Sequence, residues 1–128
     1  MQKEIVFTDK APGVVGPYSQ AVKAGDFLFT AGQIALEPGT GQMLNSDVQT
    51  ETERVLQILQ AVLEAAGSSF EYVVKSTVLL ADMADFGAMN EVYGRYLPHN
   101  PPARTTYQAG KLPLGARVEI EMVAIIPE

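Results

Sequence analysis

Residues 101–121 read PPARTTYQAGKLPLGARVEIE and hold an arginine and two carboxylates in two short runs of strand character. Alternate residues of a strand face the same side. In the second run Val118, Ile120, Met122 and Ala124 form a wholly apolar set, the natural core face. Glu119, Glu121, Val123 and Ile125 take the other side, which mixes charge with aliphatic surface. In the first run Arg104, Thr106 and Gln108 alternate with Thr105, Tyr107 and Ala109. Gly110, Pro113 and Gly115 lie between the runs, so the stretch is expected to be a hairpin-like pair of neighbouring strands with a longer connection.

Working back from it, Pro101 and Pro102 hold the entry to the Arg104 strand extended, and Pro98 stops the element before. That element is expected to be a helix starting at Asp82 or Asp85, with Phe86, Met89, Tyr93 and Leu97 as its inward stripe. Residues 72–80, YVVKSTVLL, read as a well-buried strand. The clearest helix spans 46–66. Val48, Val55, Leu56, Leu59, Val62, Leu63 and Ala66 recur at spacings of three and four, and Glu51, Glu53, Arg54, Gln57, Gln60 and Glu64 fill the other side. Ser46 with Gln49 has the form of a capping box, and Gly67 stands where a left-handed terminator belongs. Further back, 3–7, 18–23 and 27–31 read as strands, the last two joined by a turn at Ala24-Gly25-Asp26. Gly32 ends the third, where a bulge or a close backbone approach is expected.

The order is therefore β-β-β-α-β-α-β-β. It predicts a two-layer α+β domain over residues 1–128, with two helices on one face of a mixed sheet. The second face of that sheet has nothing left in the chain to cover it. It is expected to carry Arg104, Glu119, Glu121, Val123 and Ile125. So mixed a patch, left open, points to self-association.

Composition removes several chemistries. The chain lacks cysteine, which excludes disulfides, thiolate metal sites and a cysteine nucleophile. His99 is the lone histidine, so a Ser-His-Asp triad or a multi-histidine metal site has almost nothing to draw on. A net charge of −6 and a pI near 4.7 set a repulsive average field against polyanions. No apolar run approaches the roughly 20 residues that span a bilayer, and the N-terminus has no apolar signal region, so a cytoplasmic protein is expected.

Five segments, in order, are similar to those of the reactive intermediate deaminase (Rid) family in its RidA-type members. They are GPYSQAV at 16–22, FTAGQI at 29–34, EAAG at 64–67, VVKSTVLLADMADFGAMNEVY at 73–93, and PPARTTYQAGKLP with VEIE within 101–121. The resemblance implies a chorismate-mutase-like domain that assembles as a homotrimer with ligand sites between subunits. It also implies cofactor-independent hydrolysis of 2-imino and enamine acids, such as 2-iminobutanoate and 2-iminopropanoate, to 2-keto acids and ammonia. Under it, Arg104 binds the substrate carboxylate and Glu119 handles the water. Tyr18 and Asn90 line the pocket, a backbone amide near Gly32 holds substrate, and Thr106 contributes chiefly through its backbone at a position where some members carry cysteine.

Read as residues alone, these positions have plainer roles as well. The guanidinium of Arg104 matches a carboxylate bidentately, but it could equally pair with Glu119 or Glu121 across the strands. Periodicity does not separate Glu119 from Glu121. Tyr18 suits half-buried packing, Asn90 a loop or subunit contact, and His99 a structural or solvent-facing place. A non-catalytic module for a small 2-keto acid would use Arg104 in the same way. A ribonuclease or translation inhibitor is disfavoured by the acidic pI and the lone histidine.

Overall fold

A computed structural model of the chain describes residues 2–128. It contains strands β1 (Lys3–Val6), β2 (Ala21–Ala24), β3 (Phe27–Thr30), β4 (Val73–Leu80), β5 (Ala103–Gln108) and β6 (Val118–Ile125), and helices α1 (Val48–Ala65) and α2 (Phe86–Tyr96). The strands form one sheet in the order β1-β2-β3-β6-β4-β5. The β4–β5 pairing is parallel and the others are antiparallel, so the sheet is mixed. Element order and helix placement agree with the expectation.

The core lies between α1, α2 and one face of the sheet. Val55, Leu56, Leu59, Val62 and Leu63 of α1 are fully buried against Val78 and Leu80 of β4 and Val118, Ile120 and Met122 of β6. Each such side chain contributes about 1.5–3 kcal/mol by leaving water. Truncating Leu59 to alanine would cost about 2–5 kcal/mol. Past its last residue α1 closes with a Schellman motif. The Ser68 N–H donates to the Leu63 carbonyl (2.8 Å) and the Gly67 N–H to that of Glu64 (3.0 Å), with Gly67 left-handed at φ 83°.

The beginning of α1 departs from the capping box. Asp47 is the cap, and its carboxylate accepts the Thr50 N–H at 2.8 Å. Ser46 instead donates its backbone N–H to Glu51. Glu51 itself is not on the wet side of α1: its side chain is 1 % exposed. Its second oxygen accepts the Arg117 N–H at 2.9 Å, and the Arg117 side chain lies 3.8 Å from the first, Oε2. A carboxylate thus ties the start of α1 to the start of β6. An i,i+3 pattern cannot anticipate this, because the partner is 66 residues away.

Two expectations about residues 101–121 are corrected. β5 and β6 are not neighbours; β4 lies between them. β5 reaches β4 through the α2 crossover and pairs with it in parallel, Ser76 beside Arg104 and Val78 beside Thr106. Ser76 and Val78 point to the helices, since they register with Met122 and Ile120 of the core face. Arg104 and Thr106 therefore face α2, not the open side. The open side carries Glu119, Glu121, Val123 and Ile125 as expected, together with exposed Ile5, Phe27, Phe29 and Tyr107. Across that side the Lys75 ammonium donates to the Thr105 hydroxyl at 3.0 Å.

Candidate active site

Glu119 sits on β6 with its side chain on the open face, in register with Leu79 of β4. Beside it β3 makes a bulge. Phe29 pairs with Val123 and Gln33 with Ile120, so four steps on one strand match three on the other. The Thr30 hydroxyl fills the gap in the ladder by accepting the Met122 N–H at 2.9 Å. The displaced backbone carries Gly32 over the Glu119 carboxylate. A Cβ on Gly32 would lie 3.0 Å from Glu119 Cδ and closer still to one oxygen, so the close approach requires glycine. The Gly32 N–H makes no hydrogen bond with the described residues.

Glu119 is half-buried. Burial, and secondarily the charge of Glu121, holds its carboxyl above the ordinary glutamate range. It opens onto a cleft of about 450 Å³. Tyr18, Gly32 and Glu119 line the cleft together with Val14, Val15 and Leu114, and no lysine, arginine or histidine does. Tyr18 lies in the loop before β2, not in the strand expected from residue 18 onward, and its side chain is exposed. That loop is pinned by buried Gln20, which accepts the Thr8 N–H (2.7 Å) and donates to the Thr8 (3.0 Å) and Pro12 (2.9 Å) carbonyls.

A second group lies on the other side of the sheet, at the seam of α2 and β5. The Arg104 guanidinium carbon is 4.8 Å from the Tyr93 ring centroid and 5.5 Å from that of Phe86. Among the described residues no carboxylate pairs with it. The expected alternative of an ion pair with Glu119 or Glu121 is thus overturned, because those acids project from the opposite face. Held over two rings and making no side-chain hydrogen bond with the described residues, the guanidinium keeps its donors for a carboxylate. Tyr93 is buried and its hydroxyl is hydrogen-bonded to Ser76. Burial raises its phenol above the ordinary value, opposed by Ser76 and Arg104. Asn90 lies one turn beyond Phe86 on the same side of α2, and Thr106 two residues beyond Arg104 on the same side of β5. Asn90 Oδ1 and Thr106 Oγ1 are both buried without a hydrogen-bond partner.

The six candidate residues therefore fall into two sets of three: Tyr18, Gly32 and Glu119 at the cleft, and Asn90, Arg104 and Thr106 at the α2–β5 seam. The cleft's apolar lip, Val14, Val15 and Leu114, was not singled out from the sequence. Its only local signal is Pro113-Leu114-Gly115, where Leu114 and Gly115 both take positive φ. Among the described residues no three acidic, histidine or cysteine side chains gather to hold a metal, and no helix is long and apolar enough to cross a membrane.

The profile described as Endoribonuclease L-PSP matches residues 8–126. The human protein named 2-iminobutanoate/2-iminopropanoate deaminase is 46% identical over 123 residues, which cover 96% of this chain and 90% of that one. A crystal structure from Thermotoga maritima MSB8 superposes with a TM-score of 0.95 at 44% identity, covering 99% of this chain and 100% of that chain. Escherichia coli TdcF with bound serine superposes with a TM-score of 0.89 at 38% identity, covering 95% of this chain and 98% of that chain. The chorismate-mutase-like architecture expected of the chain is the one it has.

Proposed function

The chain belongs to the Endoribonuclease L-PSP (RidA) family, and on that premise we propose that it hydrolyses reactive 2-imino acids to 2-keto acids and ammonia. The observation that carries the proposal is Glu119: a half-buried carboxylate of raised basicity, beside a glycine, on a cleft without a cation. The human relative's name supports the reaction class. The short 2-imino acids 2-iminobutanoate and 2-iminopropanoate are the reference substrates.

In this reading the iminium carbon lies next to Glu119. Water attacks it as the carboxylate takes a proton, giving a carbinolamine. Glu119 returns that proton to the nitrogen, the C–N bond breaks as C=O forms, and the hydroxyl proton leaves with the ammonia as ammonium. The sum is R–C(=NH2+)–COO− + H2O → R–CO–COO− + NH4+. General-base help of this kind gives roughly 10²–10⁴-fold. An iminium is already electrophilic, so neither covalent intermediate nor cofactor is needed.

The substrate carboxylate needs a cation that the Glu119 cleft does not supply. Arg104 is suited to it, with orphaned Asn90 and Thr106 alongside. Arg104 and Glu119 project from opposite faces of their own sheet, which supports a site shared between copies: Arg104 of one subunit facing Glu119 of another. Exposed Phe27, Phe29, Ile125 and Tyr107 on the open face support the same association, and a homotrimer is the form we propose. The test is ammonia release from enzymatically generated 2-iminobutanoate, with Arg104→Ala as control. Release above the spontaneous rate, lost in the variant while the assembly persists, is expected. Binding of 2-ketobutyrate without turnover would instead make the chain a metabolite-binding module.

A further inference from the structure

We propose that the cleft beside Glu119 is a subsite for the substrate's side chain, and that it selects 2-imino acids whose side chains are apolar and larger than ethyl. The inference rests on the deaminase reading above. The trigonal carbon of a 2-imino acid bears three groups: nitrogen, carboxylate and side chain. Glu119 must lie beside the carbon to deliver water. The carboxylate finds no cation in the cleft, whose lining includes no lysine, arginine or histidine. It must therefore point out of the cleft, towards the cation of the neighbouring copy. Of the two groups left, the charged nitrogen finds no match in walls that include Val14, Val15, Ile34, Leu36 and Leu114, and the side chain is the one that suits the cleft.

The lining fits that occupant. Beyond Glu119 the walls are Ile34 and Leu36 on one side and Val14, Val15 and Leu114 at the lip. In a single copy Val15 is 90 % exposed and Leu114 65 % exposed, a large apolar area for two loop residues beside the cleft. Leu114 does so from a left-handed backbone, φ 57°, that a leucine rarely adopts. Both loops are anchored from beneath. Buried Gln20 holds the loop carrying Val14 and Val15, and the Glu51–Arg117 pair holds the end of the loop carrying Leu114. At about 450 Å³ the cleft is in the range of about 300–1,000 Å³ used for sizeable ligands, and a methyl or ethyl group would leave most of it wet. An isobutyl or benzyl group would cover the lip residues. An acidic side chain would meet Glu119 and nothing to neutralise it.

The test is kcat/KM for imines made in situ by an amino-acid oxidase from alanine, 2-aminobutyrate, leucine, phenylalanine and glutamate, each corrected for spontaneous hydrolysis. Each added buried methylene should raise kcat/KM about fourfold, equivalent to about 0.8 kcal/mol. The leucine-derived imine should thus exceed the 2-aminobutyrate-derived one by about tenfold or more, and the glutamate-derived imine should rank last. Leu114→Asn removes the apolar lip while suiting the left-handed backbone, so the fold is kept. It should lower the leucine to 2-aminobutyrate ratio by about fourfold, a readout insensitive to the amount of active protein. Equal or falling kcat/KM with side-chain size, or a ratio unchanged in Leu114→Asn, would overturn the subsite while leaving the deaminase reading intact. Acceleration of none of these imines would overturn both.

Discussion

Gly32 lies against the carboxylate of Glu119, with room for a hydrogen and not for a methyl: a Cβ there would stand 3.0 Å from Glu119 Cδ. The bulge that brings Gly32 there is specified by the sheet register, so the backbone cannot simply step back. Gly32→Ala is therefore expected to push Glu119 out of line with the reacting carbon. Displacement by about 1 Å can cost on the order of 10²-fold in rate. Imine hydrolysis should fall by that order while far-UV circular dichroism stays unchanged. Full activity in Gly32→Ala would refute the role of this contact.

The raised carboxyl of Glu119 has consequences of definite sign. The proposed hydrolysis uses the ionised form of Glu119, so the acid limb of the kcat/KM–pH profile should lie above the ordinary glutamate value of 4.5. Glu121→Gln removes the secondary cause and should move the limb to lower pH. In folding the sign is opposite to that of a salt-bridged acid. The folded state holds the Glu119 proton more tightly than the unfolded state. Stability therefore falls as pH rises from the unfolded to the folded value. Glu119→Gln should consequently be more stable than the unsubstituted chain at neutral pH, and that gain should vanish below the ordinary glutamate range. Urea midpoints measured across pH 3–8 will show it.

Arg104 and Glu119 cannot serve one ligand from one copy if each keeps its face. Under the proposed shared site, the Arg104→Ala and Glu119→Gln chains should each be inactive on their own. Mixed by unfolding and refolding together, they should regain activity, because one copy then supplies Arg104 and another Glu119. Continued inactivity of the verified mixed assembly would sink the shared site.

Glu51 is the buried charge on which the N-terminus of α1 and the β6 entry both depend. Glu51→Ala leaves the Ser46 and Arg117 N–H groups without their acceptor and removes the Arg117 partner. The Arg117 side chain is half exposed and stays hydrated, so the cost is that of N–H donors left without an acceptor, about 1–3 kcal/mol. Chemical denaturation should show a loss of that size. A loss under about 1 kcal/mol would mean that water replaces the carboxylate.

Tyr93→Phe separates two roles of one ring. The face that Arg104 stacks on is kept, but Ser76 loses its buried partner. The expected cost is about 1–3 kcal/mol in stability with little change in KM. A large rise in KM would show that the hydroxyl, and not the ring, orients Arg104.

Much of the architecture was legible because its signals are local. The repeat of Val55, Leu59 and Val62 defines α1, and Gly67 ends it through the Schellman bonds. The alternation of Val118, Ile120, Met122 and Ala124 identifies the core face of β6 and hence the open side of Glu119. Gly32 was legible as an irregularity, and the bulge is there. Glu51 was misread because helix periodicity sees only the helix, and its partner comes from the far end of the chain.

Local patterning along the chain specifies the order of elements, the helix-covered face and the membership of each alternating set. Which set of β5 faces which layer is set by long-range packing. A period of two tells which residues share a side but not which side. In β6 the apolar set settles the matter. In β5 neither set is apolar: Arg104, Thr106 and Gln108 are polar, and Thr105, Tyr107 and Ala109 are mixed. β5 is also an edge strand, so no apolar set marks its core face. The choice was made by β4, which entered between β5 and β6 and turned Arg104 towards α2 and away from Glu119. Strand order is a long-range property, fixed by the crossover through α2 and the packing of its stripe, and no local pattern in residues 101–121 records it.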